Sequence, residues 1–535
     1  MRRLRSAWHW VVIFTVPVLL THPLAFRMGK GLFAWNVPPF PSSGIVPGDH
    51  YNNMYRFWLW YDGLTKGRLP LHDPYAFALG GGANDPPFGW IFGPPFAIAR
   101  SLFGAITAYN LLVLAALLCT GVFTYLWLRR LGLPKTACVI GAAAAMTMPA
   151  AYARLTVHIK AFFLWLMPAS LYAIERSNGK RHGTSWALAA GLLAFCLVTV
   201  IEPETGVYFW PLLILYSIGT LSRRRWFALS VGLLLSGLYL LFFYQRVIGP
   251  SVTKAGRSID SLMNYSPTLS DLFRRTYNPV LLERYVYAGG LSLLALVGIG
   301  LIWRSKIPIG KKVYVAMLPL VLLVALGPNA PGIGHVYLWA FRNISAFRVV
   351  QTPGRIVFVI APMIAMGAAY FAKVIRGRWS IPVALIIVSL ATFDSRAVSF
   401  AQSPPLDPLI FSKARSATAV LDLPITTGID FHASVYNYET TILPAPRAGG
   451  VSPFVTMEAI RAFNRVGDIG AGNISPRVLD AACEMKISHV VVWRDMFGLP
   501  QLPPDVRPAL AALDSSPRFR LVGAGQGLYV YALKC

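Results

Sequence analysis

The chain reads as a polytopic α-helical membrane protein of about 11 transmembrane helices with a small C-terminal α/β extracytoplasmic domain. Three observations predict this. First, 55% of the 535 residues are hydrophobic and only 13% charged, with mean hydropathy +0.54; a soluble globular chain carries about 25% charged residues. Second, apolar runs long enough to enter a bilayer recur from Trp8 to Phe393 and then cease. A spanning helix must present apolar side chains to lipid over roughly 20 residues. Third, the basic residues stand in short clusters between those runs.

The runs lie near Trp8–Phe26, Thr107–Leu128, Thr136–Ala151, Phe162–Ile174, Trp186–Ile201, Gly206–Leu221, Phe227–Tyr244, Tyr287–Trp303, Val313–Leu326, Ile356–Phe371 and Ile381–Phe393. The opening Met1-Arg2-Arg3-Leu4-Arg5 and the run behind it have the form of a secretory signal. The run ends in His22-Pro23-Leu24-Ala25-Phe26, which offers no small-residue cleavage site, so it is expected to stay as the first helix. Phe88–Phe103 is apolar but broken by Pro94-Pro95, which suits a re-entrant or interfacial piece or one more span.

Orientation follows from the connectors. Alternate ones, counted with the amino-terminal arm, hold 19 Lys/Arg and one acid, Glu175. Short positive connectors face the cytoplasm. The expected location is the inner (cytoplasmic) membrane, with the N-terminus cytoplasmic and the tail periplasmic or extracellular. Ten of the eleven acids in residues 1–394 then fall on the outer side. Carboxylates at a membrane edge are costly and are functional candidates. The net charge of +27 does not mark a nucleic-acid binder, because no basic stripe with interleaved aromatics occurs.

Two domains are expected: 1–394, transmembrane, with residues 27–106 as a first outer loop carrying an interfacial helix, and 395–535, outside. In the tail, Ala417–Leu423, His489–Trp493 and Leu528–Leu533 read as strands, and Val455–Val466, Arg477–Met485 and Val506–Leu513 as helices. Of five cysteines, Cys483 and Cys535 lie in this tail, where an oxidising compartment allows a disulfide; spacing alone does not decide it.

The first outer loop is the most informative segment. Tyr51–Lys66 sets Met54, Phe57, Trp58 and Tyr61 along one side at helical spacing, as in a helix whose aromatics lie among lipid headgroups. Gly48-Asp49-His50 stands at its start. Asp49 is either the cap of that helix or a working carboxylate. Glu202-Pro203-Glu204 could bind a divalent cation with substrate phosphate or cap a helix. No dense His/Asp/Glu set appears, so no metal site is assigned and the cofactor is unknown.

An ordered set of short motifs runs along nearly the whole chain. It comprises Gly48-Asp49, Gly67-Arg68-Leu69-Pro70, Tyr109-Asn110, Arg154 with His158, Tyr265 to Phe273, Gly327-Pro328, Pro353-Gly354-Arg355, and Leu421-Asp422-Leu423-Pro424. In this the chain resembles the GT-C class of membrane glycosyltransferases, and within it the bacterial YfhO-like group. It departs from that pattern at His72-Asp73 and in the spacing of Arg348 and Arg355.

The resemblance implies a polyprenyl-phosphate-linked sugar donor and transfer of the sugar on the outer face to a cell-envelope glycan, lipid or protein acceptor. It also implies a catalytic acid in the first outer loop, here Asp49, as general base. A lipid phosphate as leaving group calls for cations around it. The candidates are Arg154, Lys160, Arg257, Arg348 and Arg355, of which Arg355 matches the family position. His50, His158, Glu202 and Glu204 are substrate-binding candidates. Partners would be the donor, the acceptor and membrane lipids. Two other readings stand beside this: a transporter or flippase of lipid-linked sugars, and a non-catalytic envelope-assembly protein. Related halves with broken helices would mark a transporter; no such repeat appears.

Overall fold

The structure, a computed structural model, describes residues 2–535 except 71, 81–87, 180, 201–202, 252–253, 255, 257, 345–346, 348–351, 427–430, 453 and 501. The chain divides into two compact units. One comprises Met1–Arg27, Asn110–Leu241 and Gly256–Ser399; the other comprises Met28–Tyr109, Phe242–Ala255 and Phe400–Cys535.

The first unit is helical. Its main helices are Arg2–Leu20, the greater part of Ala105–Arg130, Lys135–Met146, Pro149–Leu155, Leu166–Ser177, Gly183–Thr199, Glu204–Ser217, Arg223–Phe243, Leu291–Trp303, Ala361–Ala372 and Ser380–Ser395. Each of the eleven apolar runs falls on helix. By length and composition, however, three described helices cross a membrane: Ala105–Arg130, Arg223–Ile248 and Pro353–Ala372. Lys135–Met146 and Pro149–Leu155, bent by 49° at Pro149, make a fourth if taken together. Four more, Ala7–Leu20, Gly183–Thr199, Leu291–Trp303 and Ser380–Ser395, are apolar but shorter. The chain is thus a largely α-helical multi-pass membrane protein, with fewer long spans than eleven. Breaks at proline and short 3-10 stretches cut several runs below spanning length. The Phe88–Phe103 stretch yields one short helix, Gly93–Phe103, with Pro94 and Pro95 in its first turn, where no N–H is missed.

Small residues let the helices approach. A Cβ on Gly298 would sit 1.9 Å from the Gly367 carbonyl oxygen, so Leu291–Trp303 and Ala361–Ala372 meet backbone to backbone. Gly191 and Gly232 bring Gly183–Thr199 and Arg223–Phe243 together in the same way. Lipid supplies no hydrophobic drive between helices, so close van der Waals contact supplies the association. Pro353–Ala372 is 89% buried over its apolar window and Arg223–Ile248 only 28%, so the first is central and the second peripheral. Lys311 pairs with Glu175 at 2.7 Å, which neutralises the one acid among the positive connectors.

The second unit has a four-stranded sheet and a short two-stranded ladder. The strands, in chain order, are β1 Leu32–Ala34, β2 Ala401–Ser403, β3 Val420–Leu423, β4 His489–Trp493, β5 Phe519–Gly525 and β6 Leu528–Leu533. β1 pairs antiparallel with β2. The larger sheet runs β3-β4-β6-β5, with β3 and β4 parallel and the rest antiparallel. Helices Met457–Asn464, Pro476–Glu484 and Arg507–Ser515 supply Phe463, Val478, Ala482 and Leu513 to a core with Val490, Val492 and Tyr531. The tail is therefore α/β, as its pattern predicts. Cys483 and Cys535 are joined in a disulfide, with Cα atoms 5.6 Å apart.

The loop helix spans Asp49–Thr65. Met54, Phe57 and Trp58 are buried in protein, with the Phe57 ring 5.9 Å from Phe96 and 6.3 Å from Tyr109. The helical period is right; what covers the apolar side is the short helix Gly93–Phe103.

Candidate functional site

Two groups of candidate residues emerge, one in each unit. The first is a buried cluster of opposite charges in the helical unit. Arg355 lies in a 3-10 segment, Pro353–Ile360, that enters the helix Ala361–Ala372, and it is 5% exposed. Its Nε donates to both Glu283 oxygens, at 3.0 and 3.1 Å, and its Nη1 reaches Glu204 Oε1 at 3.3 Å. Glu283 comes from the 3-10 segment Pro279–Arg284, and Glu204 opens the helix Glu204–Ser217. Lys160 pairs with Glu204, and His158 Nε2 stands 3.2 Å from Glu283 Oε1. Thr352 donates its hydroxyl to Glu283 Oε2 at 3.0 Å.

Arg154 completes the group from the backbone side. Its guanidinium donates to the carbonyls of Ala150 at 3.1 Å, Tyr285 at 2.5 Å and Glu283 at 3.2 Å. It is wholly buried, so these bonds replace the water it has lost.

Burial by itself would raise the Glu283 carboxyl, but Arg355 and His158 beside it hold it well below the usual carboxylate range. Among the described residues the cluster sets Arg154, Lys160 and Arg355 around two carboxylates, Glu204 and Glu283. Arg257, Arg348 and Glu202 lie outside the described residues. Among the described residues no three His, Cys, Asp or Glu side chains gather in a metal-binding group.

The second group is the start of the loop helix in the other unit. The cap position is Gly48, not Asp49, and no side chain caps the helix. Asp49 is the first helical residue and is half-buried. Gly48 has φ +155°, and a Cβ there would meet His50 Nδ1 at 2.9 Å, so only glycine fits this corner. Ser434 holds it from both sides: its hydroxyl accepts the Gly48 N–H at 3.2 Å and donates to the Gly48 carbonyl at 2.8 Å. Tyr51 stacks on Tyr438 with ring centres 4.4 Å apart, and Asn437 donates to Asn52 at 3.1 Å. Asp49 acts electrostatically on Tyr109.

His50 is fully buried, with Nδ1 facing the Trp35 N–H at 3.4 Å. Burial drives its pKa down to about 3, so it is neutral near pH 7. His50 thus packs inside the corner with no exposed surface.

The structure therefore brings together Arg154, His158, Lys160, Glu204 and Arg355, and adds Glu283 and Thr352. Sequence reasoning counted Glu283 only as one of the outer acids. Ser434, the clamp on Gly48, carried no signal, being 386 residues away along the chain.

No protein-family model matches the chain, and no curated protein does. Solved structures do. The arabinofuranosyltransferase AftD from Mycobacteria aligns with TM-score 0.61 and 15% identity, over 100% of this chain and 40% of that one. A point mutant of it aligns with TM-score 0.59 and 14% identity, over 100% and 42%. An oligosaccharyltransferase from Archaeoglobus fulgidus aligns with TM-score 0.49 and 12% identity, over 98% and 73%. The chain thus spans about two fifths of the AftD structure it matches. The likeness is one of fold: along its whole length, this chain shares the fold of the matched part of that arabinofuranosyltransferase structure.

Proposed function

We propose that this protein is a GT-C-type glycosyltransferase that moves a sugar from a polyprenyl-phosphate donor to a cell-envelope acceptor on the outer face. The proposal keeps the eleven-span reading, with the shorter apolar helices crossing as tilted or broken spans. Two features support the outer face: the positive connectors, and the disulfide in the tail, a bond that persists in oxidising compartments.

The observation that carries the reading is the Gly48–Asp49 corner in a chain of this fold. Gly48 is the cap position, and Asp49 follows it as the first helical residue, half-buried. Asp49 acts as general base. It accepts the proton of an acceptor hydroxyl as that oxygen attacks the anomeric carbon. The new C–O bond forms while the bond from that carbon to the phosphate oxygen breaks, and the lipid phosphate departs with the electron pair. Arg355, Lys160 and Arg154 are cations of the kind a lipid phosphate calls for. Glu204, Glu283 and His158 hold those cations in place.

The test is Asp49→Asn in purified, membrane-reconstituted protein. Transfer is expected to fall by at least about a hundredfold, the usual worth of a positioned base, with expression and insertion unchanged. Full activity in that variant would remove Asp49 from the reaction.

A further inference from the structure

Two positive connectors of the helical unit meet with no acid between them. One follows the helix Leu291–Trp303 and holds Arg304, Lys306, Lys311 and Lys312; the other follows Ala361–Ala372 and holds Lys373, Arg376 and Arg378. Neither contains Asp or Glu. Lys311 turns inward to the buried Glu175 at 2.7 Å. Arg304, Lys306, Lys373, Arg376 and Arg378 are exposed, and Lys312 is partly so. Among the described residues none of these six has a carboxylate partner. In the orientation proposed above, both connectors face the cytoplasm.

The connectors adjoin because their parent helices do. Gly298 and Gly367 bring those helices into backbone contact at matching distances before Arg304 and Lys373. Glu175, the partner of Lys311, and Ser305, beside Arg304, both act on Tyr370 in the last turn of Ala361–Ala372. Lys312 Nζ donates to the Trp303 carbonyl at 3.0 Å, which folds the first connector back on its helix. The two helix C-termini add only about half a negative charge each, well short of the cations gathered there. An apolar stripe leads into the same corner. Leu293, Leu296, Val297 and Trp303 are exposed at the spacing of one helix side, and Gly300 among them faces open space. Val374 and Trp379 are exposed on the second connector. Tryptophan beside cations at the foot of an apolar helix side suits the headgroup layer of a bilayer. Membrane orientation requires basic residues in short loops; it does not require two connectors far apart in sequence to converge beneath one open stripe. A soluble anion would leave that stripe unused.

We propose that this corner binds an anionic phospholipid, with the headgroup phosphate among Arg304, Lys306, Arg376 and Arg378 and an acyl chain along Leu293, Leu296, Val297 and Gly300. Arginine offers paired N–H donors to phosphate oxygens. A lipid held there braces Leu291–Trp303 against Ala361–Ala372, the helix that continues the segment carrying Arg355. The site is separate from the sugar-transfer chemistry and stands whether or not Asp49 is the base.

The experiment is binding of dioleoyl phosphatidylglycerol to the full-length protein in a neutral detergent, with dioleoyl phosphatidylcholine as the neutral control of the same chains. Native mass spectrometry reads the apparent Kd of the first lipid bound. Phosphatidylglycerol is expected to bind at least about tenfold more tightly, since each cation near an anionic lipid is worth about fivefold. Arg376→Gln with Arg378→Gln is expected to remove most of that preference. Arg378→Gln alone, with an expected loss of about fivefold, serves if the double variant does not insert. Arg223→Gln with Arg224→Gln takes the same charge from another exposed connector and is expected to keep the preference. Millimolar inorganic phosphate is expected not to displace the lipid. Equal binding of the two lipids, an unchanged preference in the well-inserted Arg376 and Arg378 variants, or an equal loss in the Arg223 and Arg224 pair overturns the site. Displacement by inorganic phosphate overturns it too, in favour of a soluble anion.

Discussion

Arg355 grips Glu283 with two prongs: its Nε lies 3.0 and 3.1 Å from the two carboxylate oxygens, while its Nη2 pairs with one of them. An arginine so held is oriented before any substrate arrives. The same carboxylate takes the Thr352 hydroxyl and faces His158, so Glu283 is the hinge on which the cationic cluster turns.

Arg355→Lys tests that orientation. Lysine keeps the charge but has no planar fork to engage both oxygens of Glu283 and also reach Glu204. The donor KM is expected to rise about tenfold, equal to ~1.4 kcal/mol, with little change in acceptor KM. Steady-state kinetics with each substrate varied in turn checks this, and an effect confined to the acceptor removes Arg355 from the donor side.

The tail contains a second buried ionic group, and it is structural. Arg447 is fully buried, pairs with Asp422 at 2.5 Å and with Glu439 at 2.9 Å, and Trp493 donates to Glu439 at 2.9 Å. Arg447→Ala strands two carboxylates in the interior, which costs roughly 3–5 kcal/mol. Thermal or denaturant unfolding of the tail is expected to show a loss of that size. Arg447→Ala together with Asp422→Ala and Glu439→Gln is expected to recover part of it.

Glu439 makes this group pH-dependent. Burial first, then the Asp422 charge, push its carboxyl up to about 7, against the pull of Arg447. A carboxyl raised on folding stabilises most below the unfolded value near 4.5 and loses that contribution as pH rises through about 7. The unfolding midpoint of the wild type is expected to fall between pH 5 and 8 more than that of Glu439→Gln. Parallel curves for the two proteins would contradict this.

His50 works in the opposite sense. Its folded pKa, lowered to about 3 by burial, means that the unfolded chain binds a proton below about pH 6.5 while the folded one does not. Stability from this group is present above 6.5 and declines as pH falls toward 3. His50→Gln is expected to flatten that acid limb of the midpoint-against-pH curve.

Gly298→Leu probes the helix contact. The new side chain meets the Gly367 carbonyl directly, an overpacking that costs typically about 1–3 kcal/mol. The thermal midpoint in detergent is expected to fall, and Gly300→Leu, two residues on and facing open space, is expected to leave it unchanged.

Much of this chain was legible from local pattern. The loop helix was expected over Tyr51–Lys66 and spans Asp49–Thr65. β4 and β6 match their expected bounds, and the three tail helices agree to within a few residues. β5 was missed because its sequence, Phe-Arg-Leu-Val-Gly-Ala-Gly, alternates weakly and carries glycines. One of them, Gly523, is required where the Ile410 carbonyl comes within 2.1 Å of where a Cβ would be. That reason lies in another segment. The length of each span was not legible for a similar reason: apolar runs mark helices, but prolines and short 3-10 turns decide how far each one continues.

The site was legible in part. Asp49, His158, Glu204 and Arg355 stood out as polar groups beside apolar runs, since charge at a membrane edge is a local property of sequence. Which of them meet was not. Arg355 reaches Glu283 across 72 residues and Glu204 across 151, and Ser434 clamps Gly48 across 386. Composition and period determined by themselves that this chain enters the membrane, which stretches are helical and that the tail is α/β, because burial of apolar surface acts residue by residue along the chain. Only the tertiary structure decided that Gly48 and not Asp49 caps the loop helix, that His50 is fully buried, and that Arg355 is held by two carboxylates, because those outcomes depend on contacts between segments far apart in sequence.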